Sequence, residues 1–153
     1  MSNFRRMISN DIVATDAFND MSINARCLYF HLVMNADNRG YINNARSIIS
    51  CFDDMNTGHL QELIAKKFVL DRDRGLYLIK HWYIHNDIPR TKVEETRYID
   101  DLKHIYFDEN NAYTVRQTDK PVIETLKSHI KEKKKLRKRN KKENEKENES
   151  ESK

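Results

Sequence analysis

Residues 56–82, NTGHLQELIAKKFVLDRDRGLYLIKHW, decide how this chain folds. Leu60, Leu63, Ile64 and Phe68 fall at i, i+3, i+4 and i+8, which is one apolar stripe of a helix. Asn56 or Thr57 caps its start, because either side-chain oxygen accepts an orphan N–H of the first turn. The opposite face carries Thr57, His59, Gln61, Glu62, Ala65 and Lys66. Val69-Leu70 then begins an extended run, Arg72-Asp73-Arg74-Gly75 turns it, and Leu76-Tyr77-Leu78-Ile79 returns. Gly75 supplies the positive φ that a short hairpin loop needs. The stretch is a helix followed by an arginine-tipped hairpin.

Upstream, Ala45, Ile48, Ile49 and Phe52 mark a shorter helix opened by Asn43 or Asn44. Asp53-Asp54-Met55 turns it into the helix of 56–68, so the pair forms a helix-turn-helix. Before it, Ser22 opens a helix with Ala25, Leu28, Tyr29, Leu32 and Ala36 on its buried stripe. Asp37-Asn38-Arg39-Gly40 is a turn by composition, and Tyr41-Ile42 has room for only a short strand. Residues 4–20 are a lead-in, with Ser9 capping a turn that holds Ile12 and Val13. Asp16 is read as the cap of a second turn holding Phe18, and Arg5 and Arg6 as solvated surface charge.

The ordered set of helix, strand, helix, turn, helix and hairpin predicts a winged helix-turn-helix. The fold class is mainly α with a small β-hairpin. On such a frame Thr57, His59, Gln61, Glu62 and Lys66 are candidates for base edges, since Gln pairs with adenine and Lys with guanine. Arg72 and Arg74 are candidates for phosphate or an adjacent narrow minor groove. Within 56–82, Lys66, Lys67, Arg72, Arg74 and Lys80 outnumber Glu62, Asp71 and Asp73, so this stretch is locally positive and Lys80 joins the candidate DNA contacts.

Downstream, His81 and His85 are four apart, a metal pair if they lay on a helix. They follow a β run with no carboxylate or cysteine at ligand spacing, so no metal is expected. Trp82 and Ile84 are expected to close the core from beneath. Pro89 breaks the chain, and Val93 to Ile105 reads as a further helix with Thr91 as a possible cap. Asp108-Glu109-Asn110-Asn111 is turn material before the short run Ala112-Tyr113-Thr114-Val115. Val122, Ile123, Leu126 and Ile130 give one amphipathic turn or two. Beyond them Leu136 is the only large apolar residue, too little to offset chain entropy, so a disordered or frayed helical tail is expected. The divisions are a winged-helix domain over 1–90, an accessory helix and connector over 91–120, and a charged tail over 121–153.

Charge follows those divisions. Residues 1–126 carry a net −2, residues 127–142 a net +9 and residues 143–153 a net −3. The basicity belongs to the tail, which is either a solubilising segment or a sequence-blind anchor on nucleic acid. Cys27 and Cys51 form no CxxC pair, which excludes a zinc ribbon or redox motif, and two core thiols suit a reducing cytoplasm. The N-terminus lacks the apolar run of a secretory signal, and no stretch approaches membrane-spanning length. There is no GxxxxGKS/T, no GxGxxG and no nucleophile–base spacing, so a non-enzymatic protein without a cofactor is expected.

A resemblance adds to this. DIVATDAF at 11–18, LYFHLVMNADNRGYINNARSI at 28–48, LIAKKFVL at 63–70, GLYLIKHWYIHNDI at 75–88 and FDENNAYTV at 107–115 resemble phage replisome organiser proteins. The similarity runs from about Phe4 to Val115. It implies an N-terminal winged-helix domain that binds origin repeats in double-stranded DNA in the bacterial host cytoplasm, while the sequence leaves open whether the protein is a homo-oligomer on DNA. It also implies a C-terminal part that helps recruit the host replicative helicase or its loader. After Val115 the chain departs from the family pattern, leaving a charged tail where that part is normally longer. The alternatives are a transcriptional regulator of the same architecture and a winged-helix module that binds another protein.

Overall fold

The computed structural model of the protein describes residues 5–86 and 96–151. Helix α1, Asn10–Val13, is capped by Ser9, whose side chain accepts from the Asp11 N–H. Helix α2, Asp16–Asn19, is capped by Thr15 and not by Asp16, which is its first helical residue. Helix α3, Ile23–Asn35, is capped by Ser22 and buries Ala25, Leu28, Tyr29, Leu32 and Val33. Four of these lie on the anticipated stripe. Strand β1 is Tyr41–Ile42, and helix α4 is Ala45–Ser50. Helix α5, Thr57–Ala65, buries Leu60 and Leu63.

Lys67, in the left-handed region at φ 65°, ends α5. Its N–H reaches the Ile64 carbonyl at 3.1 Å and the Phe68 N–H reaches Leu63 at 3.0 Å, so two terminal carbonyls are satisfied. Strands β2, Val69–Asp71, and β3, Tyr77–Ile79, then form the hairpin. The sheet is antiparallel in the order β1-β3-β2, with Leu78 paired to Tyr41 on one side and Leu70 on the other.

Residues Trp82–His85 make a helical turn, α6. Trp82 is fully buried and its indole N–H donates to the Asn38 carbonyl at 3.0 Å. Gly40 lies directly beneath, at φ +93°, where a Cβ would come within 2.9 Å of the indole. Only glycine meets both demands. Arg6 is not solvated surface charge, because its guanidinium stacks over Trp82 at 5.1 Å and donates to the Ala36 carbonyl at 2.7 Å. Arg5 is exposed, as expected.

Pro89, Thr91 and the start of the expected 93–105 helix lie outside the described residues. Within them that helix is only one turn, α7, Ile99–Leu102. Three two-residue strands follow: β4, Tyr106–Phe107, β5, Tyr113–Thr114, and β6, Lys120–Pro121. They make a second antiparallel sheet in the order β5-β4-β6. Asp108 supports the β4–β5 turn by accepting from the Asn110 and Ala112 amides. The Tyr113 N–H donates to the Lys80 carbonyl and its hydroxyl to the Arg39 carbonyl, joining this sheet to the first. One hydrophobic cluster consequently runs from Phe18 to Leu126.

Where disorder or fraying was expected, the chain forms a continuous helix, α8, Val122–Glu151. Val122 and Leu126 anchor its first turns in the core. That anchor supplies the costly nucleus, and the Lys, Arg and Glu beyond it are good helix formers that need no burial to propagate. Arg139 and Glu143 pair at 3.4 Å one turn apart.

Candidate nucleic-acid interface

The outward face of α5 is built by its cap. Asn56 accepts from the Gly58 N–H at 2.8 Å, and the His59 ring nitrogen Nδ1 accepts from the Asn56 N–H at 3.0 Å. Two orphan donors of the first turn are thereby satisfied. Half-buried His59 therefore has its Nδ1 engaged in the cap. Glu62 is engaged within the chain too. Its carboxylate accepts from the Ser22 backbone N–H at 2.8 Å and the Ser22 hydroxyl at 2.7 Å, tying α5 to the start of α3. These bonds, the backbone one first, lower its pKa.

Thr57, Gln61 and Lys66 remain. All three are exposed, and none has a side-chain hydrogen bond or ion pair among the described residues. Gly58 and Ala65 are exposed beside them, so the middle of the face is low and a surface can approach closely. Gln61 is the longest polar side chain in that shallow strip.

The hairpin tip separates the two arginines. Arg72 is committed: its guanidinium meets both oxygens of Asp101 on α7, at 3.0–3.2 Å, and its side chain is 18% exposed. Asp101 also accepts from the Tyr41 hydroxyl at 2.7 Å, which burial and this bond keep protonated. Arg72 thus braces the hairpin against α7 and β1, so among the candidate DNA contacts it is one already engaged within the chain. Arg74 is exposed and has no such partner among the described residues. Asp73, Arg74 and Gly75 all have positive φ, 69°, 56° and 77°, so the tip spends backbone strain at two non-glycine positions. Lys80 lies at the far end of β3 from the tip, partly exposed, with its backbone bonded to Phe68 and Tyr113.

The start of α4 was not among the sequence candidates. Its outer positions Asn43, Asn44, Arg46 and Ser47 are exposed and share a cleft with the hairpin tip. A polar run opening a helix was the available signal, and it is weak, because most surface helices begin with one.

His81 and His85 form no metal pair. His85 takes the Ser9 N–H on Nδ1 at 2.9 Å and bonds the Tyr29 hydroxyl through Nε2. An amide can only donate, so Nδ1 carries no proton and Nε2–H points at Tyr29. Burial pushes the pKa of both histidines down to about 4. Among the described residues no group of His, Cys, Asp and Glu is arranged to hold a metal ion, and no helix is long and apolar enough to cross a membrane. Set against protein-family models, curated proteins and solved structures, the chain matches none.

Proposed function

We propose that the segment from α3 to β3 is a winged helix-turn-helix that binds double-stranded DNA in a sequence-specific way, with no enzymatic activity. In that role the protein acts as a phage or prophage replication initiator, a replisome organiser seated on origin repeats. The observation that carries this is the face of α5: Thr57, Gln61 and Lys66 stand unpartnered among the described residues on a helix whose own cap and core contacts are complete. The element order, helix, strand, helix, helix and two-stranded hairpin, supports the fold name. The motifs at 11–18, 28–48, 63–70 and 75–88 support the replication role. Footprinting the chain across its own genome neighbourhood tests it. Protected repeats are expected, and protection no different from random DNA at moderate salt overturns it.

One observation favours a second reading, a protein-interaction module that recruits a helicase or its loader. Ile23, Phe30 and Met34 leave 75%, 37% and 61% of their surface exposed along α3. They fall at i, i+7 and i+11, one stripe opposite the core face. Pull-down of a purified helicase loader that survives loss of DNA binding and fails in Ile23→Ser, Met34→Ser supports this alternative.

A further inference from the structure

The structure holds a second polar surface, between the start of α4 and the hairpin tip. A cleft of about 400 Å³ is lined there by Asn43, Asn44, Arg46, Ser47, Arg74 and Tyr77, together with Ala45 and Gly75. Its walls are the elements that precede and follow α5 in the chain.

Three features decide what this cleft takes. Two arginines line it and no carboxylate does, so like charges share one space without a counter-ion. None of the six polar side chains has a hydrogen bond or ion pair among the described residues, and Asn44, at the cap position of α4, makes no side-chain cap bond. Arg74 is delivered to the cleft by two consecutive non-glycine residues in the left-handed region, while Arg72, two positions earlier, is turned away to Asp101. The hairpin tip therefore offers one arginine to the cleft and withholds the other.

We infer that this cleft binds a phosphate group, the two guanidinium forks of Arg46 and Arg74 gripping its oxygens while the Asn43, Asn44 and Ser47 side chains donate to the remainder. Guanidinium forks match phosphate oxygens in geometry and stay charged at all relevant pH. The volume exceeds that of one phosphate and accommodates the sugars on either side of a phosphodiester. The occupant is therefore a backbone phosphate of the duplex, an assignment that rests on the DNA-binding function proposed above. The cleft positions the duplex and carries no sequence information.

The test uses the full chain, its Arg46→Ala, Arg74→Ala double variant, and Arg46→Lys, Arg74→Lys. Binding to a short duplex of random sequence is titrated with salt, and inorganic phosphate is titrated into the chain with amide chemical shifts as the readout. Both arginines are exposed, so the variants keep the fold, and circular dichroism checks it. The alanine pair should weaken binding about a hundredfold, roughly tenfold for each guanidinium fork removed. It should also flatten the slope of log affinity against log salt by roughly 0.9, the value for one phosphate. The lysine pair should keep the slope and lose affinity, because charge is retained and the fork is not. An unchanged slope in the alanine pair, or a flattening of roughly 1.8, the value for two separate phosphates, overturns a single backbone site. Phosphate-induced shifts at residues 44–47 and 74–75 with an unchanged slope assign the cleft to a free phosphate ester and overturn the duplex as its occupant. If the unaltered chain binds no DNA while those shifts appear, the proposed function fails and the phosphate site stands.

Discussion

Helices α5 and α8 are made helical by different forces. Helix α5 has nine residues, two fully engaged caps and a face of Leu60 and Leu63 sunk in the core. Nine residues are too few to hold a helix in water alone, so its shape is a product of tertiary burial. Helix α8 has thirty residues, of which only Val122 and Leu126 are buried among those described. Past its first turns it relies on intrinsic propensity and pairs such as Arg139–Glu143. One helix is held in place by the domain, and the other projects from it. On the DNA-binding reading proposed above the difference would bear on recognition as well: a positioned face suits sequence reading, whereas an exposed basic rod suits phosphate neutralisation without reading.

The largest effect expected from breaking this comparison is on stability. Leu63→Ala should cost roughly 2–5 kcal/mol in urea unfolding, since Leu63 is fully buried between α5 and its neighbours. Leu136→Ala should cost less than about 0.5 kcal/mol, because Leu136 keeps 56% of its surface in water. Similar costs at both positions would mean that α8 packs against something.

Acid should act through the core. Burial favours the neutral rings of His81 and His85, holding their pKa at about 4 against an ordinary 6.5. As pH falls the unfolded chain takes up those protons first. The stabilisation is therefore complete above about 6.5 and is lost toward about 4, by on the order of 3 kcal/mol for each ring. Urea midpoints that stay level across this window would show that the rings are not held neutral.

Removing residues 131–153 should weaken binding to all duplexes alike, about tenfold or more, and flatten the salt dependence by roughly 0.9 for each phosphate no longer neutralised. The ratio of specific to random affinity should hardly move. Identical salt slopes for the full and shortened chains would assign the basic helix to a protein partner or to solubility. On α5 the pattern should reverse. Gln61→Ala is expected to cost about 1–3 kcal/mol on the specific site and little on random DNA. Equal losses on both would remove Gln61 as a base reader.

What was legible in the sequence is what is local. The stripes at Leu28, Leu32, Leu60 and Leu63 follow from period, the caps at Ser22 and Asn56 from residue type, and the hairpin from the turn residues around Gly75. Even the role of His59 lay within reach, since it occupies the third helical position, where a capping box places its return bond. Pairings across the chain were not legible. Glu62 finds Ser22 forty residues away and Arg72 finds Asp101 twenty-nine away, and neither spacing marks a partner. Both read as free surface charges, which is why their intrachain partners were not anticipated. Strands of two residues carry no alternation to detect, so of the second sheet only the turn at 108–111 and the short run holding β5 leave a trace in the sequence pattern. Helix α8 departs from the expected fraying because low apolar content excludes a core but does not exclude a helix.

Trp82 is the chain's one tryptophan, and its surroundings make it an optical probe of the folded part. Its ring is sealed from water, stacked under the Arg6 guanidinium, seated over Gly40 and bonded to the Asn38 carbonyl. Its emission therefore reports together on the lead-in, the turn before β1 and the core. Ellipticity at 222 nm is instead weighted toward the thirty residues of α8. Recording both signals in one titration watches the domain and the rod separately, without a label or a substitution.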